Sequence, residues 1–290
     1  MKKTTLIILY FIHSYCIAQQ GTPFEKYGPF QTKNYTSFSD ALKNEQEAFK
    51  LKSENEDLSK DIRKLKNLGA LQVLILTENN LDSLPQEVST LSNLMYFESS
   101  KNSLKKIPTG VSAWQKLVEL HLFNTQLDSL PLELKHLPAL KIIEIQNNSN
   151  KNFKLGKGLE HNKSLQEIIL YKNNLKSFPS ELLTCKEMKE IVITSCGITK
   201  ISDSISKLSK LEALVLDSNL ITEIPKSVFE LSNLKYLSIK GNKLKIAPEN
   251  LYYLQKLEIL DLRENPIAQE QIDVLRALMP KCKILFEGKN

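Results

Sequence analysis

The sequence predicts an α/β repeat solenoid, with a curved parallel sheet on the concave face and short helices or turns on the convex face. The main observation is a unit of the form LxxLxLxxNxL that recurs nine times, with copies 23 residues apart except for one step of 25. The second is that apolar residues in each copy alternate at the period of a β-strand. The copies begin at Leu71, Leu94, Leu117, Leu140, Leu165, Met188, Leu211, Leu234 and Leu257.

The centre of each unit predicts a short strand. In the first full copy Leu74 and Leu76 alternate with Val73, Ile75 and Thr77, which places the leucines on one face and the other three on the opposite face. One coil buries too few apolar side chains to offset the conformational entropy that its 23 residues lose on ordering. Each coil must therefore be stabilised by stacking on its neighbours, as in a solenoid.

The ninth position of the unit is a column of asparagines. After the strand the backbone turns sharply, and an inward amide can both donate to and accept from backbone groups that lack ladder partners. Thr125 and Cys196 replace the asparagine in two copies, and we interpret both as structural. The predicted structural ladder consists of Asn79, Asn102, Asn148, Asn173, Asn219, Asn242 and Asn265.

Most copies carry a proline after this column. Its fixed φ suits the start of a helical turn, where its missing N–H donor costs nothing. Lys154 and Ser202 replace it in two copies, and the first lies in the long repeat, residues 147–164, whose two extra residues we expect to bulge on the convex side. The prolines are Pro85, Pro108, Pro131, Pro179, Pro225 and Pro248.

These units resemble the leucine-rich repeat family, in its 23-residue proline-containing class, over residues 48–286. That class is shared by Ras-group plant proteins, animal Ras scaffolds and many bacterial proteins, exported ones among them. The resemblance implies a leucine-rich repeat solenoid whose asparagine column tolerates Thr125 and Cys196. Bacterial leucine-rich effectors that ligate ubiquitin need a separate catalytic domain, for which we expect no room in this chain.

The N-terminus predicts export. Lys2 and Lys3 precede a mostly apolar run, and Ala18 is followed by polar residues, a pattern typical of a secretory signal peptide over residues 1–18. The apolar run is shorter than the roughly 20 residues that span a bilayer, and no later segment is a transmembrane candidate. We therefore predict a periplasmic, cell-surface or secreted protein of a bacterial envelope. An uncleaved anchor, or lipidation of Cys16, is the alternative.

The mature chain is predicted to contain three parts. Ser37 and Asp40 have the spacing of a capping box, whereas the residues up to Tyr35 show no clear period and are expected to be extended or partly ordered. The array opens with one degenerate copy, in which Glu56 replaces the asparagine, because a terminal repeat needs a polar outer surface. The parts are a lead-in with a capping helix at 19–47, one degenerate and nine full repeats at 48–267, and a C-terminal cap at 268–290.

Charge and cysteines exclude several classes of function. The formal net charge of +6 falls to +4 when Lys2 and Lys3 leave with the signal peptide, and the charges are mixed along the chain, so we expect no nucleic-acid partner. Cys185, Cys196 and Cys282 fall at positions expected to be buried, and we predict free thiols rather than disulfides. No Cys/His cluster predicts a metal and no motif predicts a cofactor.

The side chains between the strand leucines form the predicted concave face. Exposed aromatic residues ringed by charges are enriched at interface centres, so one such zone is expected to bind a basic or aromatic-bearing protein or peptide. The alternative is that scattered apolar residues on a strand surface are ordinary. The predicted partner-binding residues are Tyr96, Glu98, Glu119, His121, Phe123, Glu144, Ile169 and Tyr171. An apolar strip with a charged rim follows, formed by Ile169, Val192, Val215, Ala213, Asp217, Lys240 and Arg263.

No catalytic residue is predicted. Glu119 and His121, flanked by Glu98 and Glu144, have the composition of an acid/base or metal cluster. Such chemistry needs a site that shifts pKa values and excludes water, and we expect an open sheet to provide neither.

The sequence therefore predicts a non-enzymatic, monomeric, exported protein that binds a protein or peptide on its concave face. A second hypothesis is an envelope structural or adhesion protein that recognises glycan or a host surface, using Phe123, Tyr171 and Gln146. A third, a signalling scaffold, rests on fold resemblance alone.

Overall fold

The computed structural model describes residues 22–150 and 153–287, and in these ranges the strands form one parallel sheet in chain order. The predicted signal peptide, residues 1–18, and Cys16 lie outside the described residues. The strands are β1 (Asn34–Tyr35), β2 (Lys50–Glu54), β3 (Val73–Thr77), β4 (Tyr96–Ser100), β5 (Glu119–Phe123), β6 (Ile142–Gln146), β7 (Glu167–Tyr171), β8 (Glu190–Thr194), β9 (Ala213–Val215), β10 (Tyr236–Ser238), β11 (Ile259–Asp261) and β12 (Lys283–Leu285).

The repeat period sets the register of the sheet. Leu74 pairs with Phe97, which pairs with Leu120, so equivalent positions of successive repeats lie side by side. Their side chains are fully buried and belong to one core that runs the length of the array. The predicted leucine-rich repeat solenoid is confirmed.

The convex side is built from 3₁₀ helices. Where proline follows the asparagine column it directly precedes a five-residue 3₁₀ helix, as at Pro85 and Pro108. The two repeats in which Lys154 and Ser202 replace it have helices of three residues. The 3₁₀ helices are Ile62–Asn67, Gln86–Thr90, Thr109–Ala113, Leu132–His136, Lys157–Leu159, Ser180–Thr184, Ile205–Lys207, Lys226–Glu230 and Glu249–Tyr253.

The asparagine column links each coil to the one before it. Asn102 Oδ1 accepts from the backbone N–H groups of Asn79 at 2.9 Å and Leu81 at 3.2 Å, and its Nδ2 donates to the Leu76 carbonyl at 3.0 Å. Cys196 donates from Sγ to the Leu170 carbonyl, which reproduces part of this pattern. The buried Thr125 hydroxyl has no hydrogen-bond partner among the described residues.

Short helices cover both ends of the array. Helix α1 spans Pro23–Lys26, and helix α2 spans Phe38–Leu42, with the Ser37 hydroxyl accepting from the Asp40 N–H as the capping-box spacing predicts. Glu56, in the asparagine column, accepts from the backbone N–H of Phe38. At the other end α3 spans Gln269–Leu278 and leads into β12.

The three described cysteines are free thiols. Cys185 and Cys196 are buried as expected, but Cys282 is only half-buried because it lies in the turn between α3 and β12. Nothing in residues 22–150 and 153–287 forms a helix long and apolar enough to cross a bilayer.

Candidate functional site

The concave face consists of the first, third and fifth side chains of each five-residue strand and of the equivalent positions in the shorter strands. Equivalent positions line up across the sheet, so the face has three columns, which pass through β3 at Val73, Ile75 and Thr77. We call the part on β2–β5 the covered half and the part on β6–β11 the open half, because another segment of the chain lies over the first.

The covering segment is residues 22–33 of the predicted N-terminal part, which contain helix α1. From here on the name lead-in refers to this segment. Tyr27 is 6% exposed and packs in one apolar cluster with Val73, Ile75 and Tyr96. Its ring centroid lies 6.1 Å from that of Tyr96. Gly28, with φ +86°, then turns the chain over Lys50, where a Cβ would lie 2.6 Å from Lys50 Cε.

The lead-in also brings polar groups to the covered half. Glu119 accepts two hydrogen bonds at Oε1, from Lys26 Nζ at 2.5 Å and from the Tyr27 hydroxyl at 2.6 Å. Burial alone would raise the pKa of Glu119, but the hydrogen bonds from His121, Lys26 and Tyr27 outweigh it and hold the pKa at about 2. Glu119 is therefore a buried carboxylate that the lead-in helps to keep ionised.

His121 lies between two carboxylates beneath the lead-in. Its Nε2 is 3.1 Å from Glu119 Oε2 and its Nδ1 is 2.9 Å from Glu144 Oε2. Burial favours the neutral ring, but the bonds to the two carboxylates raise the pKa of His121 to about 9, so the protonated ring donates from both nitrogens. The Tyr96 ring stacks on it, and Tyr96 donates to Glu98 at 2.7 Å.

This geometry corrects one expectation. An open sheet was expected neither to shift pKa values nor to exclude water around His121, but the lead-in turns part of the sheet into a buried interface. The same contacts argue against a vacant reaction site, because both ring nitrogens already face carboxylates of the chain. Within residues 22–150 and 153–287 no group of His, Cys, Asp and Glu is arranged to hold a metal ion.

The exposure predicted for the partner-binding zone is also corrected. The zone was expected to be exposed, but most of its residues are buried by the lead-in or by their neighbours on the sheet. Only Glu98, Phe123 and Tyr171 are partly exposed. The buried members are Tyr96, Glu119, His121, Glu144 and Ile169.

The exposed aromatic residues lie in the third column, where the covered and open halves meet. Phe123 pairs with Gln146, which pairs with Tyr171, so two rings flank one amide on three adjacent strands. All three side chains are partly exposed. Gln146 donates from Nε2 to Glu144, which fixes the orientation of its amide. This row offers ring faces and a positioned amide to an incoming molecule.

The open half contains a cleft along its first column, on β7–β11. Its volume is about 510 Å³, and its floor includes Ala213, Tyr236 and Ile259. Glu167 and Glu190 lie at the β7 and β8 end and are partly exposed. This part of the face combines an apolar floor with neighbouring carboxylates.

Another carboxylate pair lies farther along the open half. Burial, with Asp261 nearby, raises the pKa of Asp217 to about 6, although Asp217 accepts from the Ser238 hydroxyl at 2.5 Å. Asp261 is 1% exposed and pairs with Arg263 at 2.5 Å. Asp217 thus carries a charge that its surroundings disfavour, unlike Glu119.

Sequence reasoning identified the concave columns but missed the lead-in as part of the site. Lys26 and Tyr27 contact a residue more than 90 positions away, so no local period indicates the contact. The available signal was composition, since Phe24, Tyr27 and Lys26 place aromatic and basic groups in a segment that lacks its own core.

The comparisons with known proteins agree with this architecture. A family model described as "Leucine rich repeat" matches residues 186–244 and 209–267. Disease resistance protein RFL1 of Arabidopsis thaliana is 31% identical over 80 residues, which are 27% of this chain and 9% of that protein. This chain therefore matches only a small part of that relative's length.

Two solved structures share the fold. An internalin (inlF) from Listeria monocytogenes superposes with a TM-score of 0.64 at 19% identity, covering 89% of this chain and 79% of that one. The plant peptide hormone receptor RGFR1, solved in complex with RGF2, gives a TM-score of 0.58 at 23% identity, covering 81% of this chain and 39% of the receptor. At these identities the likeness concerns the fold.

Proposed function

We propose that this chain, a leucine-rich repeat protein, is a non-enzymatic module that binds a protein or peptide partner on its concave face. The observation that carries the proposal is the row of Phe123, Gln146 and Tyr171, whose partly exposed rings and amide lie side by side. Aromatic side chains at the centre of a surface contribute much of the binding energy in protein interfaces. The row lies beside the lead-in and is not buried by it.

The buried members of the predicted zone have a supporting role in this proposal. Tyr96, Glu119, His121 and Glu144 fix the lead-in and the orientation of their neighbours, and the His121 ring lies 5.9 Å from the ring of Phe123. Glu98, Phe123 and Tyr171, the partly exposed members, are the ones that a bound partner reaches, whereas Ile169 is buried. Because the cluster around His121 is filled by the chain's own groups, we assign it no catalytic role.

The chemistry of the face favours a basic or aromatic-bearing partner. Glu98, Glu167, Glu190 and Asp217 lie on or beside the exposed part, so the field there attracts cations and repels phosphate groups. We therefore expect a polypeptide rather than a nucleic acid, bound by a monomer.

The test is capture of partners by the folded protein from envelope extracts. The double variant Phe123→Ala/Tyr171→Ala should recover partners at least about fivefold less well than the parent, since each truncation of an interface anchor costs about 1 kcal/mol or more. Tyr253→Ala is the matched control, because Tyr253 is 57% exposed outside the concave face. Equal capture by the parent and the double variant, with unchanged circular dichroism, would refute the proposal.

A second candidate is an envelope structural or adhesion protein that recognises glycan. The aromatic–amide–aromatic row is the specific observation in its favour, because sugar rings stack on aromatic faces while amides bond to hydroxyls. A glycan array and a peptide library, both probed with the parent and the double variant, separate the two candidates. A signalling scaffold is the third reading, and it rests on the fold alone.

Export is part of the proposal and follows from the pattern of residues 1–18. Mass spectrometry of the N-terminus after expression in a bacterial host, combined with cell fractionation, tests it. A mature chain that begins after Ala18 in the periplasm, on the surface or in the medium supports export. An intact Met1 in the cytoplasm contradicts it.

A further inference from the structure

The first column of the concave face has the same kinds of residue at both ends. Going inward from β3 at one end and from β11 at the other, an apolar residue comes first, then a tyrosine and then a carboxylate, with one alanine inserted at the far end. The near end lies under the lead-in, whereas the far end forms the cleft of the open half. The near end consists of Val73, Tyr96 and Glu119, and the far end of Ile259, Tyr236, Ala213 and Glu190.

The contacts of the lead-in show which side chains an apolar residue, a tyrosine and a carboxylate in one column can bind. Tyr27 places its ring on the apolar residues and Tyr96, and its hydroxyl reaches Glu119. Lys26, the preceding residue, places its ammonium on the same carboxylate. A cation next to an aromatic residue therefore satisfies the carboxylate and covers the apolar part together.

The cleft offers the same two kinds of contact without the lead-in. Glu190 is followed by Glu167 on the next strand, about 4.8 Å away, so two carboxylates adjoin the floor. Counting Glu212 and Glu258 against Lys189 and Lys235, the lining holds four acidic and two basic groups. Its formal charge is thus −2, and it favours a cationic occupant.

We propose that this cleft binds an extended polypeptide segment in which a lysine or arginine adjoins an aromatic residue. The basic side chain pairs with Glu190 and Glu167, and the aromatic ring covers Ala213 and Tyr236. The proposal rests on the proposed function and names the chemistry of the partner. It assigns the cleft a ligand of the same kind that the chain supplies to its own covered half.

A peptide copied from the lead-in is the probe. A fluorescein-labelled peptide of residues 22–31, capped at both ends, is titrated with the full chain, and fluorescence polarisation reports binding. Peptides carrying Lys26→Glu or Tyr27→Ala should bind at least about fivefold more weakly, and binding should weaken between about 0.05 and 0.5 M salt. Because these changes lie in the peptide, the fold of the protein cannot affect the comparison. Equal binding of all three peptides would overturn the proposal.

Protein variants locate the site. Glu167→Gln/Glu190→Gln should weaken peptide binding by about fivefold or more, while Glu230→Gln, at an exposed carboxylate on a convex 3₁₀ helix, should leave it unchanged. If Glu119→Gln alone reduces binding, the peptide has displaced the lead-in and the cleft is not the site. Partner capture that depends on Phe123 and Tyr171 but not on Glu167 and Glu190 would refute this inference while leaving the proposed function intact.

Discussion

The covered and open halves of the concave face differ mainly in the groups that surround their buried carboxylates. In the covered half the lead-in supplies Lys26 and Tyr27 to Glu119, and the carboxylate is held ionised. In the open half burial disfavours the charge on Asp217. The same scaffold thus makes one carboxylate stabilising and another costly, depending on the donors around it.

The difference also separates structural from binding residues. Exposed aromatics and acids on a repeat array look alike in sequence, but those beneath the lead-in act as an interface within the chain. Those beyond it, including Tyr171, keep a partly exposed surface. The candidate binding surface therefore lies farther toward the open half than the sequence predicts.

Removing the main contact between the lead-in and the covered half should have the largest effect on local stability. Tyr27→Ala loses a buried ring and a hydrogen bond to a charged acceptor, so local opening of the lead-in should become easier by about 2–4 kcal/mol. Amide hydrogen exchange in β3–β5 measures this opening, and limited proteolysis within residues 22–33 gives a second readout. Tyr253→Ala, at an exposed ring, should change neither. Unchanged protection in Tyr27→Ala would mean that the lead-in does not cover the sheet in solution.

Neutralising one carboxylate in each half should give effects of opposite sign. Glu119→Gln should lower the free energy of unfolding by about 2 kcal/mol at pH 7, because it leaves the buried His121 ring with one less anion and removes the acceptor of Lys26. Asp217→Asn should raise it by about 1 kcal/mol, since it removes a disfavoured charge and keeps an acceptor for Ser238. Urea unfolding of both variants measures the pair. Effects of the same sign would contradict the difference between the halves.

The fold could be predicted from the sequence because its causes are local and repeated. Leu74, Asn102 and Pro85 occupy positions whose roles follow from the 23-residue period. The covered half could not, because Tyr27 and Glu119 meet across 92 positions through side chains that follow no period. The columns of the candidate site were predictable, but their exposure depended on a segment without regular pattern.

The pH dependence should fall in different windows in the two halves. The folded pKa of His121, about 9, exceeds its ordinary value, so its stabilisation is complete below about pH 6.5 and is lost as the pH rises through 9. The charged groups that contact it are Glu119 and Glu144, and Lys26 of the lead-in contacts Glu119. Raising the pH from about 7 to 8.5 should therefore lower the free energy of unfolding by about 1–2 kcal/mol, measured by urea unfolding at the two pH values.

Two controls sharpen that result. In His121→Gln the dependence between about pH 7 and 8.5 should vanish, because the titrating group is gone. Asp217 has a folded pKa of about 6, above its ordinary value, so the folded state favours its protonated form. The free energy of unfolding should therefore decrease as the pH rises from about 3.8 to 6. The same window in both halves, or a slope that survives in His121→Gln, would assign the titration to other groups.

The smallest effect concerns the coil at the junction of the two halves. Thr125 is 1% exposed, and its hydroxyl has no hydrogen-bond partner among the described residues, although the asparagines in the adjacent coils bond to the backbone. Thr125→Val keeps the shape and removes this hydroxyl, so the free energy of unfolding should rise by about 0.5–1 kcal/mol in urea. Cys196→Val is the control and should lower it, because the Cys196 thiol lies within hydrogen-bond distance of two carbonyl oxygens and can donate to either of them. A loss of stability in Thr125→Val would show that the hydroxyl has a partner. Because each coil is stabilised by its neighbours, a gain at this junction should protect β4 and β6 together and so couple the two halves more strongly.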